Sequence, residues 1–110
     1  MASKSLNSKS SGHTGMGSEA DFDALCDAFL QIKTRSEGKK FMLDLCTPAE
    51  ILAFAERWKV ARLLNDGALS YREIHAKTGV SLTTIGRVAR FLEQEANQGY
   101  HLVLERIKRR

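Results

Sequence analysis

Ser70-Tyr71-Arg72-Glu73-Ile74-His75-Ala76-Lys77-Thr78-Gly79-Val80-Ser81-Leu82-Thr83-Thr84-Ile85-Gly86-Arg87-Val88-Ala89-Arg90-Phe91-Leu92 is the stretch that decides the fold of this chain. Ser70 and Glu73 have the spacing of a capping box, in which each side chain accepts the other's backbone N–H, so a short helix opens here and runs through Ile74 to Lys77. Thr78-Gly79-Val80 makes a turn, and Gly79 suits it because glycine enters the left-handed conformation without steric cost. Ser81 caps a further helix from Leu82 to about Glu95. Two short helices joined by a tight turn containing glycine describe a helix-turn-helix, here at about residues 70–94. Ile74, Val80, Ile85 and Val88 fall at its inward positions.

The second helix of this unit has two chemically distinct faces. At 100° per residue, Leu82, Ile85, Val88, Ala89 and Leu92 share one side, and Thr83, Arg87, Arg90 and Gln94 cluster opposite. Threonine and arginine suit phosphate oxygens and base edges in a DNA major groove, arginine being the usual bidentate partner of guanine. Glu93 and Glu95 lie off that face or beyond it, so its charges are all positive. His75, on the first helix, is expected at the surface on the DNA side. Ser81 and Thr84 stand at the start of the second helix, where it would meet the groove.

Outward from this unit the chain reads as helices. Thr47-Pro48-Ala49-Glu50 combines a capping threonine, a proline at the first helical position and a glutamate that completes the box. The helix that follows carries Ile51, Phe54, Ala55, Trp58 and Ala61 on one stripe, and Leu52, Val60, Leu63 and Leu64 widen it almost all round. Such a helix needs burial on more than one side, and in a chain this short a second subunit is expected to supply a wall. Asn65-Asp66-Gly67 ends it. Before it, Phe22, Leu25, Cys26, Phe29 and Leu30 form a helical stripe from Glu19 onward, with Lys33 and Arg35 at its end and a break at Gly38. Phe41 to Cys46 then forms a second helix of about two turns. After Asn97-Gln98-Gly99, Tyr100, Val103, Leu104 and Ile107 form a last stripe, read as helix because no second strand exists to pair with it. The expected fold is all-α, six helices and no sheet.

Residues 1–18 are half serine or glycine and read as a disordered tail, too poor in apolar groups to offset their ordering entropy. Residues 19–110 read as a single helical domain for DNA binding and dimerisation. The net charge of +4 divides unevenly. Residues 1–18 carry +2; residues 19–46 have four bases against six acids, −2; residues 47–110 have eleven against seven, +4. A basic reading half behind an acidic half fits DNA held by backbone electrostatics on one side.

Other classes are excluded or disfavoured. No run of 18 apolar residues exists to span a membrane, and no basic region followed by an apolar one marks a secretory signal. Cys26 and Cys46 are too few and too far apart for a zinc cluster or a disulfide framework, and they read as small buried hydrophobes in a reducing, cytoplasmic setting. His13, His75 and His101 have no Cys, Ser or acid at a spacing that makes a nucleophile–base pair or a ligand set, so no enzyme, metal or cofactor is expected.

The segments Leu45-Cys46-Thr47-Pro48-Ala49-Glu50, Ala55-Glu56-Arg57-Trp58, Leu63-Leu64-Asn65-Asp66-Gly67 and Ser70 to Ile74, continued by Lys77 to Leu92, Gly99-Tyr100 and Leu102 to Arg106, resemble the Trp repressor superfamily. Within it the chain is similar to the YerC/YecD-type branch, over about residues 20–108. The resemblance implies an intertwined all-helical homodimer that sets two helix-turn-helix heads in successive major grooves of double-stranded DNA, and a palindromic operator with half-sites about one helical turn apart. It implies a transcriptional regulator, expected to be a repressor.

For a ligand, the resemblance implies a site at Thr47, Arg57, Arg87, Val88 and Phe91. Thr47, Arg57 and Arg87 match a threonine and two arginines that hold tryptophan. Val88 replaces a glycine that makes room beside the indole, and Phe91 replaces a serine that helps hold the amino group. Bulkier apolar residues there fill the slot, so tight tryptophan binding is not expected, and no other small-molecule effector is indicated. For DNA, Arg72 matches a base-reading arginine, and Thr83 and Gly86 match positions near the groove. A sigma-factor region 4 fragment shares the Ser-Tyr-x-Glu-Ile and glycine-turn pattern, but the Thr47-Pro48 helix and the Gly99-Tyr100 segment argue against it. A protein-interaction module on the same helical fold is the alternative function.

Overall fold

The computed structural model describes residues 15–94 and 97–108 and contains six helices. They are α1 (Gly15–Phe29), α2 (Arg35–Leu45), α3 (Pro48–Asp66), α4 (Tyr71–Thr78), α5 (Leu82–Glu93) and α6 (Gly99–Lys108), with no strand among the described residues. The region expected as one domain divides into two compact units, one ending at Leu45 and the other beginning at Cys46.

In the first unit α1 starts at Gly15, four residues inside the segment expected as tail; residues 1–14 of that segment lie outside the described residues. The break between the first two helices falls at 30–34, and Gly38 lies inside α2. Its cause is a cap at Thr34-Arg35-Ser36-Glu37. Thr34 Oγ1 accepts the Glu37 N–H at 3.1 Å, and Glu37 Oε1 accepts the Lys33 N–H at 2.9 Å. Arg35 therefore opens α2 and does not close α1. The rings of Phe29 and Phe41 meet edge-to-face at 5.3 Å, joining α1 to α2. Phe22, Leu30 and Leu43 remain exposed, and so does Cys26, which was expected to be buried; both cysteines are free thiols.

The second unit holds the core. Thr47 Oγ1 accepts the Glu50 N–H at 3.2 Å and Glu50 Oε1 accepts the Thr47 N–H at 2.8 Å, so the capping box stands as read. Gly67 closes α3 at φ 75°, a left-handed value that a residue with a Cβ adopts only under strain. Val60 and Ala61 from α3, Ile74 from α4, Val80 from the turn, and Ile85 and Val88 from α5 form one buried cluster. Trp58, Leu63, Leu64, Leu69 and Tyr100 pack around it. The inward assignments of Ile74, Val80, Ile85 and Val88 hold. Leu82 does not follow them: it is 46 % exposed, because it opens α5 one turn ahead of Ile85, where the buried stripe begins.

The first half of α3 lacks such cover within its unit. Leu52 is 61 % and Phe54 43 % exposed. The last apolar stripe is α6, a helix, and His101 Nε2–H donates to Leu92 O in the last turn of α5, where a carbonyl has no partner within its own helix.

Ile85 is fully buried where α3, α4 and α5 meet. Replacing it with alanine is expected to destabilise the protein by about 2–5 kcal/mol and with valine by about 0.5–1.5 kcal/mol, in that order, by urea denaturation.

Candidate functional site

The site is built on α4, its turn and α5. Ser70 Oγ accepts the Glu73 N–H at 3.1 Å, and Glu73 Oε1 accepts the Ser70 N–H at 2.7 Å, which fixes where α4 begins. Gly79 ends it at φ 80°, with its N–H donating to His75 O at 2.8 Å. Thr78 Oγ1 donates to Ile74 O at 2.7 Å and accepts the Val80 N–H at 3.1 Å. Val80 is thereby pinned into the core while its carbonyl stays available. The His75 ring takes that carbonyl, with Nδ1 at 2.7 Å from Val80 O. Ser81 Oγ accepts the Thr84 N–H and donates to Thr84 Oγ1, both at 3.1 Å, and so caps α5.

Three of the sequence-predicted DNA residues are thus bonded at the turn and the α5 cap. His75 is exposed, but its Nδ1 belongs to the turn, and the Ser81 and Thr84 hydroxyls bond to each other. Arg72, Thr83, Arg87 and Arg90 are exposed. On α5, Thr83, Arg87 and Arg90 stand opposite Ile85, Val88, Ala89 and Leu92, which are buried. The core thus fixes which face of α5 looks outward. Arg87 also places its guanidinium 4.6 Å above the centre of the Phe91 ring, one turn along.

Arg87 and Phe91 line a pocket of about 430 Å³ with Trp58, Asn97, Gly99, Tyr100 and Val103. Trp58 and Tyr100 stack in it, 6.5 Å between ring centres and 24° between planes. The other residues of the predicted ligand set are elsewhere. Thr47 Oγ1 is spent on the α3 cap, the Arg57 guanidinium sits 5.8 Å from the Phe54 ring centre, and Val88 is in the core and lines no part of the pocket. Trp58 and Tyr100 were read as apolar stripe positions and as parts of segments carrying the family resemblance, not as pocket residues. Nothing in their spacing brings residue 58 to residue 100; α5 and α6 packing in sequence after α3 does.

Comparison with known proteins places the chain. The profile of the Trp repressor protein family matches residues 20–108. The chain belongs to the Trp repressor family. This family member is 40 % identical over 88 residues to the uncharacterized protein YerC of Bacillus subtilis (strain 168), covering 80 % of this chain and 83 % of that one. It is also similar, at 36 % identity and a TM-score of 0.74, to a crystal structure described as a candidate Trp repressor from Staphylococcus aureus, covering 81 % of this chain and 87 % of the other. The all-α, Trp repressor-like architecture and the YerC-type branch expected from the sequence are therefore the right ones. Among the described residues of this Trp repressor family member, no cluster of three His, Cys, Asp or Glu side chains is placed to hold a metal, and no helix is long and apolar enough to cross a membrane.

One charge of the head is tied to its folding. The Ser70 backbone N–H, and then the Ser70 hydroxyl, hold the Glu73 carboxyl below its ordinary value of 4.5. The unfolded chain then binds this proton more readily than the native one, so the cap's contribution is complete above the ordinary glutamate range and is lost as pH falls through the lowered native value. The melting temperature of the wild type is expected to drop more than that of Glu73→Gln as pH is taken from about 5 to about 3, since glutamine has no carboxyl to protonate. Parallel curves would remove Glu73 from the acid response.

Proposed function

We propose that this chain is a dimeric, sequence-specific regulator that binds double-stranded DNA and acts as a repressor by obstructing its operator. The observation that carries the reading is the α5 surface, where Thr83, Arg87 and Arg90 are exposed directly opposite a buried apolar face. A core-anchored helix with a basic outer face suits insertion into a major groove, with phosphate contacts giving affinity and base edges giving sequence preference. Family membership supports the same reading. Arg72, in the first turn of α4, and the Ser81–Thr84 cap lie at the two helix starts and suit base and phosphate contacts. A second copy of the chain would cover Leu52 and Phe54 on α3 and set two heads against a palindrome.

Tight tryptophan binding is not part of this function. Val88 is committed to the core, Thr47 to its cap, and Phe91 already lies beneath Arg87. We propose heads that are set for DNA without a small molecule. Calorimetric titration of the protein with free tryptophan is expected to show no saturable heat, and micromolar binding would refute this point.

Binding to mixed-sequence duplex DNA, followed by fluorescence anisotropy, is expected to weaken steeply and linearly on a log–log plot as salt rises from about 50 to about 200 mM. On a duplex selected from random sequence, Arg72→Ala is expected to cost about 1–3 kcal/mol, with a smaller loss on random DNA. Equal losses on both would make Arg72 a phosphate anchor. No binding at the lowest salt would favour a protein-interaction module.

A further inference from the structure

His75 has a hydrogen bond that determines its chemistry. A carbonyl oxygen only accepts, so at 2.7 Å from Val80 O the His75 Nδ1 is the nitrogen that carries the hydrogen. In a neutral imidazole the proton held at one nitrogen leaves the other bare, and the bond made by the first selects the tautomer. Nε2 is then an acceptor without a proton. It lies on the far side of the ring from Val80, on a residue that is itself exposed.

The position of that acceptor matters. Val80 immediately precedes Ser81, the cap of α5, so the His75 ring is bonded to the residue that leads into the helix start. In two-helix DNA readers the first residues of the second helix approach base edges. Arg72 lies three residues before His75 on α4, one helical turn away on the same side. Its guanidinium is donor-only, matched to guanine, whereas a bare imidazole nitrogen is the opposite kind of group.

We propose that His75 is a specificity-determining residue of the DNA head, presenting Nε2 as an acceptor to the exocyclic amine of an adenine or a cytosine in the major groove. This rests on the chain's binding DNA through α4 and α5. Adenine N6 and cytosine N4 are the amino donors exposed in that groove, while guanine and thymine offer acceptors at O6 and O4. A phosphate oxygen also only accepts, so the neutral ring has nothing to give it. The turn therefore supplies a recognition element: it holds the ring still and chooses which nitrogen is bare. Arg72 and His75 together would read opposite halves of the base code, a donor beside an acceptor.

Two measurements at about pH 8, above the ordinary histidine range, test this. Imidazole nitrogen NMR of the free protein is expected to show His75 Nδ1 protonated and Nε2 unprotonated, and the opposite assignment would overturn the proposal without reference to DNA. Selection from random duplexes is then made with wild type and His75→Asn. Asparagine carries an amide N–H at the same bond separation as Nδ1, so it keeps the bond to Val80 O, but it is too short to offer an acceptor where Nε2 stood. His75→Asn is expected to melt as the wild type does. Wild type is expected to enrich adenine or cytosine at one position in each half-site by about tenfold, and His75→Asn to lose that preference there while keeping the rest of the site. An unchanged preference in His75→Asn would overturn the base contact. Wild type enriching no sequence at all would overturn sequence-specific reading itself, and the base contact with it.

Discussion

Burial of Ile74, Val80, Ile85 and Val88 against Val60 and Ala61 is the constraint on which the second unit depends. Each buried valine or isoleucine there contributes about 1.5–3 kcal/mol relative to exposure, and the cluster draws on three helices and a turn. The cluster does more than stabilise. With Ile85 and Val88 committed inward, the rotation of α5 about its own axis is fixed, so Thr83, Arg87 and Arg90 have no choice but to face outward. With Val80 committed inward, its carbonyl is turned toward His75. The core thus sets both the outward face of α5 and the carbonyl that the His75 ring bonds.

The same packing separates the residues read as a ligand set: Val88 is in the core, Thr47 caps α3, and Arg87 and Phe91 line the aromatic pocket. Phe91, one turn beyond Arg87, gives that guanidinium an aromatic face to lie on, and Trp58 and Tyr100 close around them. What is left is an aromatic pocket with a single cation.

Most of the second unit was legible in the sequence because its determinants are local. Thr47 with Glu50, Ser70 with Glu73, Ser81, and the left-handed Gly67 and Gly79 each act within four residues, and each ended or began a helix where it was read. The error in the first unit has the same physical source. Thr34 and Glu37 have the capping spacing too, but Gly38 attracted the break, although a glycine inside a helix costs only about 1 kcal/mol and need not end it. Long-range features were not legible. The Trp58–Tyr100 stack joins residues far apart in the chain, and the bond from His75 to Val80 required knowing which way a carbonyl turns. Exposed charges were found by periodicity and the Ser81 cap by its place before α5; the bond between the Ser81 and Thr84 hydroxyls and the partner of His75 were not.

The apolar side chains left outside this core are the remaining physical demand. Phe22, Leu30 and Leu43 in the first unit, with Leu52 and Phe54 at the start of α3, are exposed in a single chain. A second copy of the chain, as proposed for the DNA-bound regulator, would cover them and by symmetry double the reading surface. Sedimentation equilibrium at micromolar concentration tests it directly. The predicted result is a single species at twice the 12.3 kDa chain mass, unchanged on dilution. A species at the mass of one chain would contradict it.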